Sequence, residues 1–339
     1  MRISKERLQQ IIVDFELDLA GVSVLTEAAT GPYALTACIA ALANAESVVC
    51  LARSSDFASS EESIEQTADY ARALGVCSKL AFADRNSLAA SLRSDHPLIV
   101  TNLRGVRPLD HLLFSQVRDE REVIVAAMCE AWEVRSQDLD IECCQAMAIP
   151  VVYTDESHPL LQTIDRVGLL AVKLIFEAGE ELADGHVVVV GGGRFSDAIA
   201  AAVAPWTRAV TVLPTEEAMQ SVVSQMHTVD VVVVADHSAH LYQAAAWNDL
   251  SSAARTFDVP AVVISGMPPE IADRWPRVTP TRTVPPRVMT RALDAIGWLP
   301  VLRLHTAGLS AALSILSESG DRRPTVGMST LVESGVEVP

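Results

Sequence analysis

Aromatic side chains make up only 5% of this chain, and its 26 Lys and Arg are far outnumbered by 43 Asp and Glu. Few aromatics suit a core of Ala and Val, the composition of buried parallel strands packed tightly against helices. The shortage of cations, a formal charge of -17, argues against nucleic acid or an anionic membrane as the main partner, since both need basic patches. A solvated acidic surface is the plainest meaning of that charge, and it leaves room for a local basic pocket. Cysteine is sparse as well: Cys38, Cys50, Cys77, Cys129, Cys143 and Cys144 form no C-x-x-C pair and lie mostly in apolar surroundings. That argues against a disulfide or zinc framework and predicts reduced, buried thiols in a cytosolic protein. No apolar run is long enough for a charge-free membrane span, and the first residues lead into an amphipathic helix rather than the apolar run of a signal peptide. The expected location is the cytoplasm, with no membrane contact. Two catalytic signatures are also missing, the G-x-S-x-G elbow of serine hydrolases and the Lys-Ser/Thr ending of a Walker A loop.

What the chain does have is alternation. Strands are read at residues 22–26, 47–52, 79–82, 98–101, 123–127 and 150–153, with helices near 5–15, 33–43, 60–74, 86–93 and 137–147. This spacing gives βαβ units and a mainly parallel sheet with helices on both faces. A long helix is read at 158–182, with Leu160, Leu161, Ile164, Val167, Leu170, Leu174 and Ile175 at helical spacing, and its length places it between domains. A second series has strands at 186–190, 209–213, 229–235 and 261–264, helices starting near Phe195, Thr215 and Ser238, and a closing proline-rich stretch at 268–286. Residues 288–316 read as a helix broken at Gly297 and Pro300, and the polar tail from Ser317 as loose. The expected class is therefore α/β: two Rossmann-like, doubly wound parallel-sheet domains joined by a long helix, which a chain of 339 residues accommodates. The expected division is 1–158 for substrate and catalysis, 159–182 for the joining helix, 183–287 for a second, possibly dinucleotide-binding domain, and 288–339 for a C-terminal helix and tail.

The best motif opens the second series, where Val187-Val188-Val189-Val190 runs into Gly191-Gly192-Gly193-Arg194-Phe195-Ser196 and a helix. Gly191, Gly193 and Ser196 fall on the three positions of G-x-G-x-x-G. There the first glycine permits a tight turn, the second lets pyrophosphate approach the backbone, and the third position must be small for helix–strand packing. Arg194 can add a charge-assisted contact to a phosphate. With this motif, the element order resembles the D-2-hydroxyacid dehydrogenase and adenosylhomocysteine hydrolase type of tandem Rossmann protein. The resemblance implies that the second unit binds NAD and that the C-terminal helix returns to the first domain. It also implies catalytic Arg, Glu and His on later loops of the second unit, but the stretches at 235–240 and 264–267 hold no such arginine. The strand ending at Thr215 likewise lacks an acid for a ribose hydroxyl, Glu216 coming slightly late. Three readings of the turn stay open: a dinucleotide (NAD or NADP), a tight turn without a ligand, and another anion.

In the first series, a strand runs into Glu27-Ala28-Ala29-Thr30-Gly31-Pro32-Tyr33. Thr30 suits a helix N-cap and Pro32 the first turn, and amides there can hold a carboxylate or phosphate. Arg53 and Ser54 follow the second strand, where such a pair can read a 2′-phosphate, so NADP in this unit is a minor option. The densest polar groups follow later strand ends: Asn102, Arg104 and Arg107, then Glu130, Trp132, Glu133 and Arg135, then Asp155, Glu156 and His158. In a parallel sheet these ends share one edge, where open α/β folds bind ligands. Arginines orient a carboxylate bidentately, and a Glu or His shifted by its surroundings moves a proton. Glu130, Glu133, His158 and Arg104 are the expected catalytic groups. Glu27, Thr30, Gly31, Tyr33, Arg53, Asn102, Trp132, Arg135, Asp155 and Glu156 are the expected substrate contacts. Each alone also reads as a surface or capping group; their concentration at consecutive strand ends carries the functional reading. Asp236, His237 and His240 form D-H-x-x-H, a pattern able to hold zinc or iron but common by chance, so no metal is favoured.

The leading expectation is an enzyme acting on a small amino- or carboxy-bearing metabolite in an inter-domain cleft, by NAD(P)-linked hydride transfer. It competes with a non-redox lyase, transferase or condensing enzyme carrying a vestigial nucleotide loop, and with a non-catalytic ligand sensor or scaffold. The apolar helices at 158–182 and 288–316 offer surface for self-association, so a homodimer is expected.

Overall fold

A computed structural model describes residues 3–92, 96–118, 121–237, 239–281, 284–286 and 288–318. The chain forms two compact units, one from Met1–Leu161 with Trp298–Pro339, the other from Gln162–Gly297.

Unit 1 runs α1 (Lys5–Asp14), β1 (Ser23–Glu27), α2 (Leu35–Leu42), β2 (Ser47–Leu51), α3 (Ser60–Leu74), β3 (Leu80–Ala83), α4 (Leu88–Ser91), β4 (Leu98–Thr101), α5 (His111–Val117), β5 (Val123–Ala127), α6 (Ile141–Ala146) and β6 (Val151–Tyr153). The strands are all parallel, in the order β3-β2-β1-β4-β5-β6. The order reverses between β1 and β4, which opens a crevice at the carboxyl ends of those strands. β5 is buried along its whole length, because helices cover both faces of the sheet. Leu8, Leu35 and Leu74 from α1, α2 and α3 pack on one face, and Leu88, Phe114 and Cys144 from α4, α5 and α6 on the other.

Unit 2 runs α7 (Thr163–Glu177), β7 (His186–Val190), α8 (Arg194–Val203), β8 (Ala209–Leu213), α9 (Glu216–Val223), β9 (Val231–Val234), α10 (Ala246–Phe257), β10 (Ala261–Val263), α11 (Pro269–Ala272) and β11 (Val278–Thr279). Its parallel sheet has the order β11-β10-β9-β7-β8. Counted from β7 this is the doubly wound order 2-1-3-4-5, with the switch point between β7 and β9. α7 and α8 cover one face and α9 and α10 the other. Gly168 lets α7 approach α8 closely: a Cβ there would lie 2.5 Å from the Ala198 carbonyl oxygen and 2.6 Å from the Ala202 Cβ.

The chain then returns to unit 1 as α12 (Leu299–Glu318), which packs on β5, β6 and α2. The returning helix implied by the resemblance is therefore present. Its stretch Leu299–Leu316 is apolar enough to cross a membrane, but 61% of that stretch is buried inside the protein, as for a core helix. The tail beyond Glu318 lies outside the described residues.

Several expected boundaries move. The helix read at 158–182 is only Thr163–Glu177, and it packs Ile164, Val167, Leu170 and Leu174 into the core of unit 2. Before it, the Asp155 carboxylate accepts from the Ser157 N–H at 3.0 Å and Gln162 takes φ 53°, which breaks helical continuity. The helix read from 288 starts at Leu299, because Gly297 has φ 145°, outside any helix. The helix read from Ser238, itself outside the described residues, begins at Ala246. Helix α5 and strand β11, the latter inside the proline-rich stretch, are additions.

Candidate functional site

The carboxyl edge of the unit 1 sheet carries a row of buried polar side chains. Glu27 ends β1 and is 6% exposed. Its Oε2 accepts from the Gly105 N–H at 2.6 Å. Only glycine fits at 105, since a Cβ there would lie 2.7 Å from the Cβ of Glu27. Burial pushes the Glu27 carboxyl up to about 7, against the opposing pull of the Gly105 N–H, Arg107 and Arg104. Asn102, just past β4, joins two strand ends: its Oδ1 accepts from the Met128 N–H at 2.9 Å and its Nδ2 donates to Cys129 Sγ at 3.4 Å. Burial pushes the Cys129 thiol up to about 12, which disfavours the thiolate.

Past β5 and β6 three glutamates meet. The Glu130 N–H donates to Glu133 Oε2 at 3.1 Å, and the Glu156 N–H donates to Glu130 Oε1 at 3.2 Å. Glu130 thus links the turn after β5 to the start of the segment after β6. Burial raises both groups, Glu133 to about 7 and Glu156 higher, with the Glu133 charge adding to the effect on Glu156. Glu130 and Glu156 are buried and Glu133 is half-buried. The expected catalytic pair Glu130 and Glu133 is thus joined by Glu156, which was expected among the substrate contacts.

The remaining candidates have local partners. Arg53 donates to the Arg107 carbonyl at 3.0 Å. Arg104 pairs with Asp56 at 3.6 Å and lies over the Phe57 ring. Arg107 and Arg135 both reach Asp138 Oδ2, at 3.0 and 2.6 Å. These guanidinium groups fasten loops. The half-buried His158 accepts from the Leu160 N–H through Nδ1 at 3.3 Å, and Asp155 accepts from the hydroxyl of Ser157 at 2.6 Å. The Trp132 backbone lies in the short turn Ala131–Glu133, and its side chain is outside the described residues.

The first loop of unit 1 is closed by α3. The Ala29 N–H donates to Thr67 Oγ1 and the Gly31 N–H to Gln66 Oε1, so two of its amides already have protein acceptors. Thr30 is the N-cap residue of a 3-10 turn at Gly31–Ala34, with Pro32 in its first turn, but its side chain makes no capping hydrogen bond. Tyr33 sits 5.7 Å, ring centre to ring centre, from His305 of α12. His305 contacts Thr36 Oγ1 at 2.6 Å, and burial holds its imidazole neutral, down to about 3. Gln66, Thr67, Thr36 and His305 carried no motif; their roles arise from packing between elements distant in sequence. Ser54, the partner of Arg53 in the NADP option, caps the Ser60 N–H at 3.1 Å.

The turn of unit 2 is built differently. Gly191 has φ 132°, and a Cβ on it would lie 2.8 Å from backbone atoms of Ala235 and Asp236. Gly193 has φ 74° and forms the N-cap of α8, with no side-chain cap and no atom within 4 Å of where its Cβ would be. Ser196 is fully buried under the helix, as the third fingerprint position requires. Gly192 faces Pro214, and Arg194 is exposed beside Gly193. Phe195 stacks on His237 at 4.6 Å, and His237 Nδ1 lies 3.2 Å from Ser265 Oγ. Asp236 accepts from the Leu241 N–H at 2.8 Å, with His240 3.7 Å away. Among the described residues no group of three His, Cys, Asp or Glu can hold a metal.

No protein-family model matches the chain, and no curated protein is similar to it. Solved structures are similar in fold. The TT0316 protein of Thermus thermophilus is 16% identical, with a TM-score of 0.51 over 92% of this chain and 100% of that one. A dipicolinate synthase subunit of Bacillus halodurans is 9% identical, with a TM-score of 0.51 over 90% of this chain and 100% of that one. An NAD-dependent formate dehydrogenase of Staphylococcus aureus, in complex with NAD, is 11% identical with a TM-score of 0.46, over 93% and 100% of the two chains. At these identities the first two likenesses show a shared fold and nothing finer.

Proposed function

We propose that this chain is a nicotinamide-dinucleotide-linked oxidoreductase of a small, polar, amino-bearing metabolite. One observation carries the cofactor reading: Gly193 presents the uncapped start of α8 with open space above its Cα, the arrangement a pyrophosphate needs. Gly191, Gly193 and Ser196 fit that group, and Arg194 is placed to reach a phosphate. The bound nicotinamide would supply or accept hydride. In unit 1, burial raises the carboxyls of Glu133 and Glu156, which suits them to exchange the proton that interconversion of a carbonyl and an alcohol or amine requires. Buried carboxyls, with the neighbouring arginines already paired, favour a substrate that donates hydrogen bonds through an amino group over one that presents a carboxylate.

The non-redox reading keeps one specific support. Pro214 follows β8 where an acid would meet a ribose hydroxyl, and Glu216 instead accepts from the Ala246 N–H at 3.1 Å. Calorimetric titration with NAD(H) and NADP(H) separates the two readings. The expected result is micromolar binding that is lost in Gly193→Asp and weakened in Arg194→Glu, whose exposed position leaves the fold intact. If the folded protein binds no dinucleotide, the oxidoreductase reading falls and the non-redox one replaces it.

We also propose a homodimer. Of the two helices expected to offer surface, α12 lies in the unit 1 core, whereas α7 exposes Leu169 and Phe176, at 53% and 57%. Sedimentation equilibrium is expected to give twice the chain mass, and a monomer throughout would remove the proposal.

A further inference from the structure

The strand order of unit 1 reverses between β1 and β4, and Glu27 stands at the β1 side of the crevice that opens there. The loop after β4 holds that side chain in one pose. Arg107 Nε donates to the Asn102 carbonyl and the Val106 N–H to the Leu103 carbonyl at 2.9 Å. So folded, the loop presents the Gly105 N–H to Glu27 Oε2 at 2.6 Å. Oε1 is left over. It accepts from no donor among the described residues, although Glu27 keeps only 6% of its surface exposed. Nor does a cation answer this carboxyl. Arg107 is paired with Asp138 at 3.0 Å and Arg104 with Asp56 at 3.6 Å, and among the described residues neither forms an ion pair with Glu27. Arg53 donates to the Arg107 carbonyl.

We propose that Glu27 Oε1 is the acceptor for a ligand's ammonium N–H, so that unit 1 takes the amino group of its ligand at the switch point of its own sheet. A buried carboxylate is costly unless a counter-ion and hydrogen-bond donors meet it. The Gly105 N–H supplies a donor and no charge. A cation bearing N–H groups supplies both at the remaining oxygen, and charge-assisted bonds of this kind are the strong ones. A neutral hydroxyl would supply the bond without the charge, and an anion would be repelled. A single carboxylate oxygen is too little for calcium or magnesium, which surround themselves with several. Because the loop fixes the carboxyl before a ligand arrives, binding costs little further ordering. This site deepens the amino-bearing substrate of the proposed oxidoreductase and rests on that reading for its part in a reaction; binding of the amine itself requires no dinucleotide.

Amide NMR of the isotope-labelled full chain, titrated with methylammonium chloride at about pH 8, tests this; the Glu27 carboxyl, which titrates at about 7, is ionised there. In the wild type the Gly105 N–H resonance is expected to move saturably. Tetramethylammonium, with the same charge and no N–H, is expected to leave it in place at equal salt. In Glu27→Gln, which keeps an acceptor for Gly105, methylammonium is expected to bind at least about tenfold more weakly, the size of a charged hydrogen bond. A Gly105 resonance indifferent to methylammonium would overturn the proposal. So would an equal response to tetramethylammonium, or undiminished binding in the folded Gln variant. The two wild-type titrations decide the matter even if the variant folds poorly. Calorimetry with NAD(H) and NADP(H) is independent of all three, so a failure here leaves the oxidoreductase reading to stand or fall on its own test.

Discussion

Gly191→Ala is expected to destabilise unit 2 by about 3 kcal/mol or more. Two costs coincide at this position. The backbone sits at φ 132°, a region that residues with a Cβ rarely adopt, and the added Cβ would lie 2.8 Å from three backbone atoms of Ala235 and Asp236. No flexible side-chain end is there to move aside; β7 and β9 would have to separate where their valines pair. Gly193→Ala makes an informative contrast. It also has positive φ, 74°, but nothing stands within 4 Å of its Cβ position, so about 1–3 kcal/mol of backbone strain is expected and the unit stays folded. Urea titrations, with hydrogen exchange of the β7 and β9 peptides as the local readout, separate the two. Gly191→Ala as stable as the wild type would mean that the turn does not pass this close to Ala235. If Gly193→Ala loses dinucleotide binding while retaining its fold, the open space over that residue is a ligand's place.

How much of this is visible in the sequence depends on the range of the interaction. β-branched runs such as Val187–Val190 and Val231–Val234 announce buried parallel strands by composition alone, and they fall where expected. Strand β11 escapes such a reading because Val278–Thr279 is two residues long and is followed at once by Pro280, too little for any periodicity. The helix that starts at Thr163 reads as starting earlier because Leu160 and Leu161 continue the apolar spacing of α7. They serve another core, Leu161 being buried with unit 1. The strand-end position of Glu27, Asn102, Glu130 and Glu156 is legible, since topology alone puts those residues on one edge. Their partners are not. Nothing local says that Arg104 finds Asp56, that Arg107 and Arg135 share Asp138, or that Gln66 and Thr67 of α3 close the first loop. Those pairings exist only after packing, and they decide which charges a substrate can meet.

Glu27→Gln is expected to raise stability at alkaline pH by about 2–3 kcal/mol and to change it by less than about 1 kcal/mol near pH 5. The wild-type carboxyl titrates at about 7 in the fold, against 4.5 for an unperturbed glutamate. Between those values the native state binds more protons than the unfolded chain, so stability falls as pH rises, the reverse of a salt-bridged carboxylate. The contribution is complete below about 4.5 and gone above about 7. Each pKa unit corresponds to about 1.4 kcal/mol, which sets the size of the effect. A glutamine keeps an acceptor for the Gly105 N–H, now made by Glu27 at 2.6 Å, and carries no charge to bury. Glu133 and Glu156 titrate in the same direction, so the wild type alone cannot assign the slope; the difference between variant and wild type can, because that pair is common to both. Denaturation midpoints measured from about pH 5 to about pH 9 are therefore expected to diverge with rising pH, the variant staying higher. Parallel curves would show that Glu27 is already ionised in the fold. The loop at Gly105 would then be held by a charge, not by a buried acid, and Arg104 and Arg107 would be the groups that offset its desolvation.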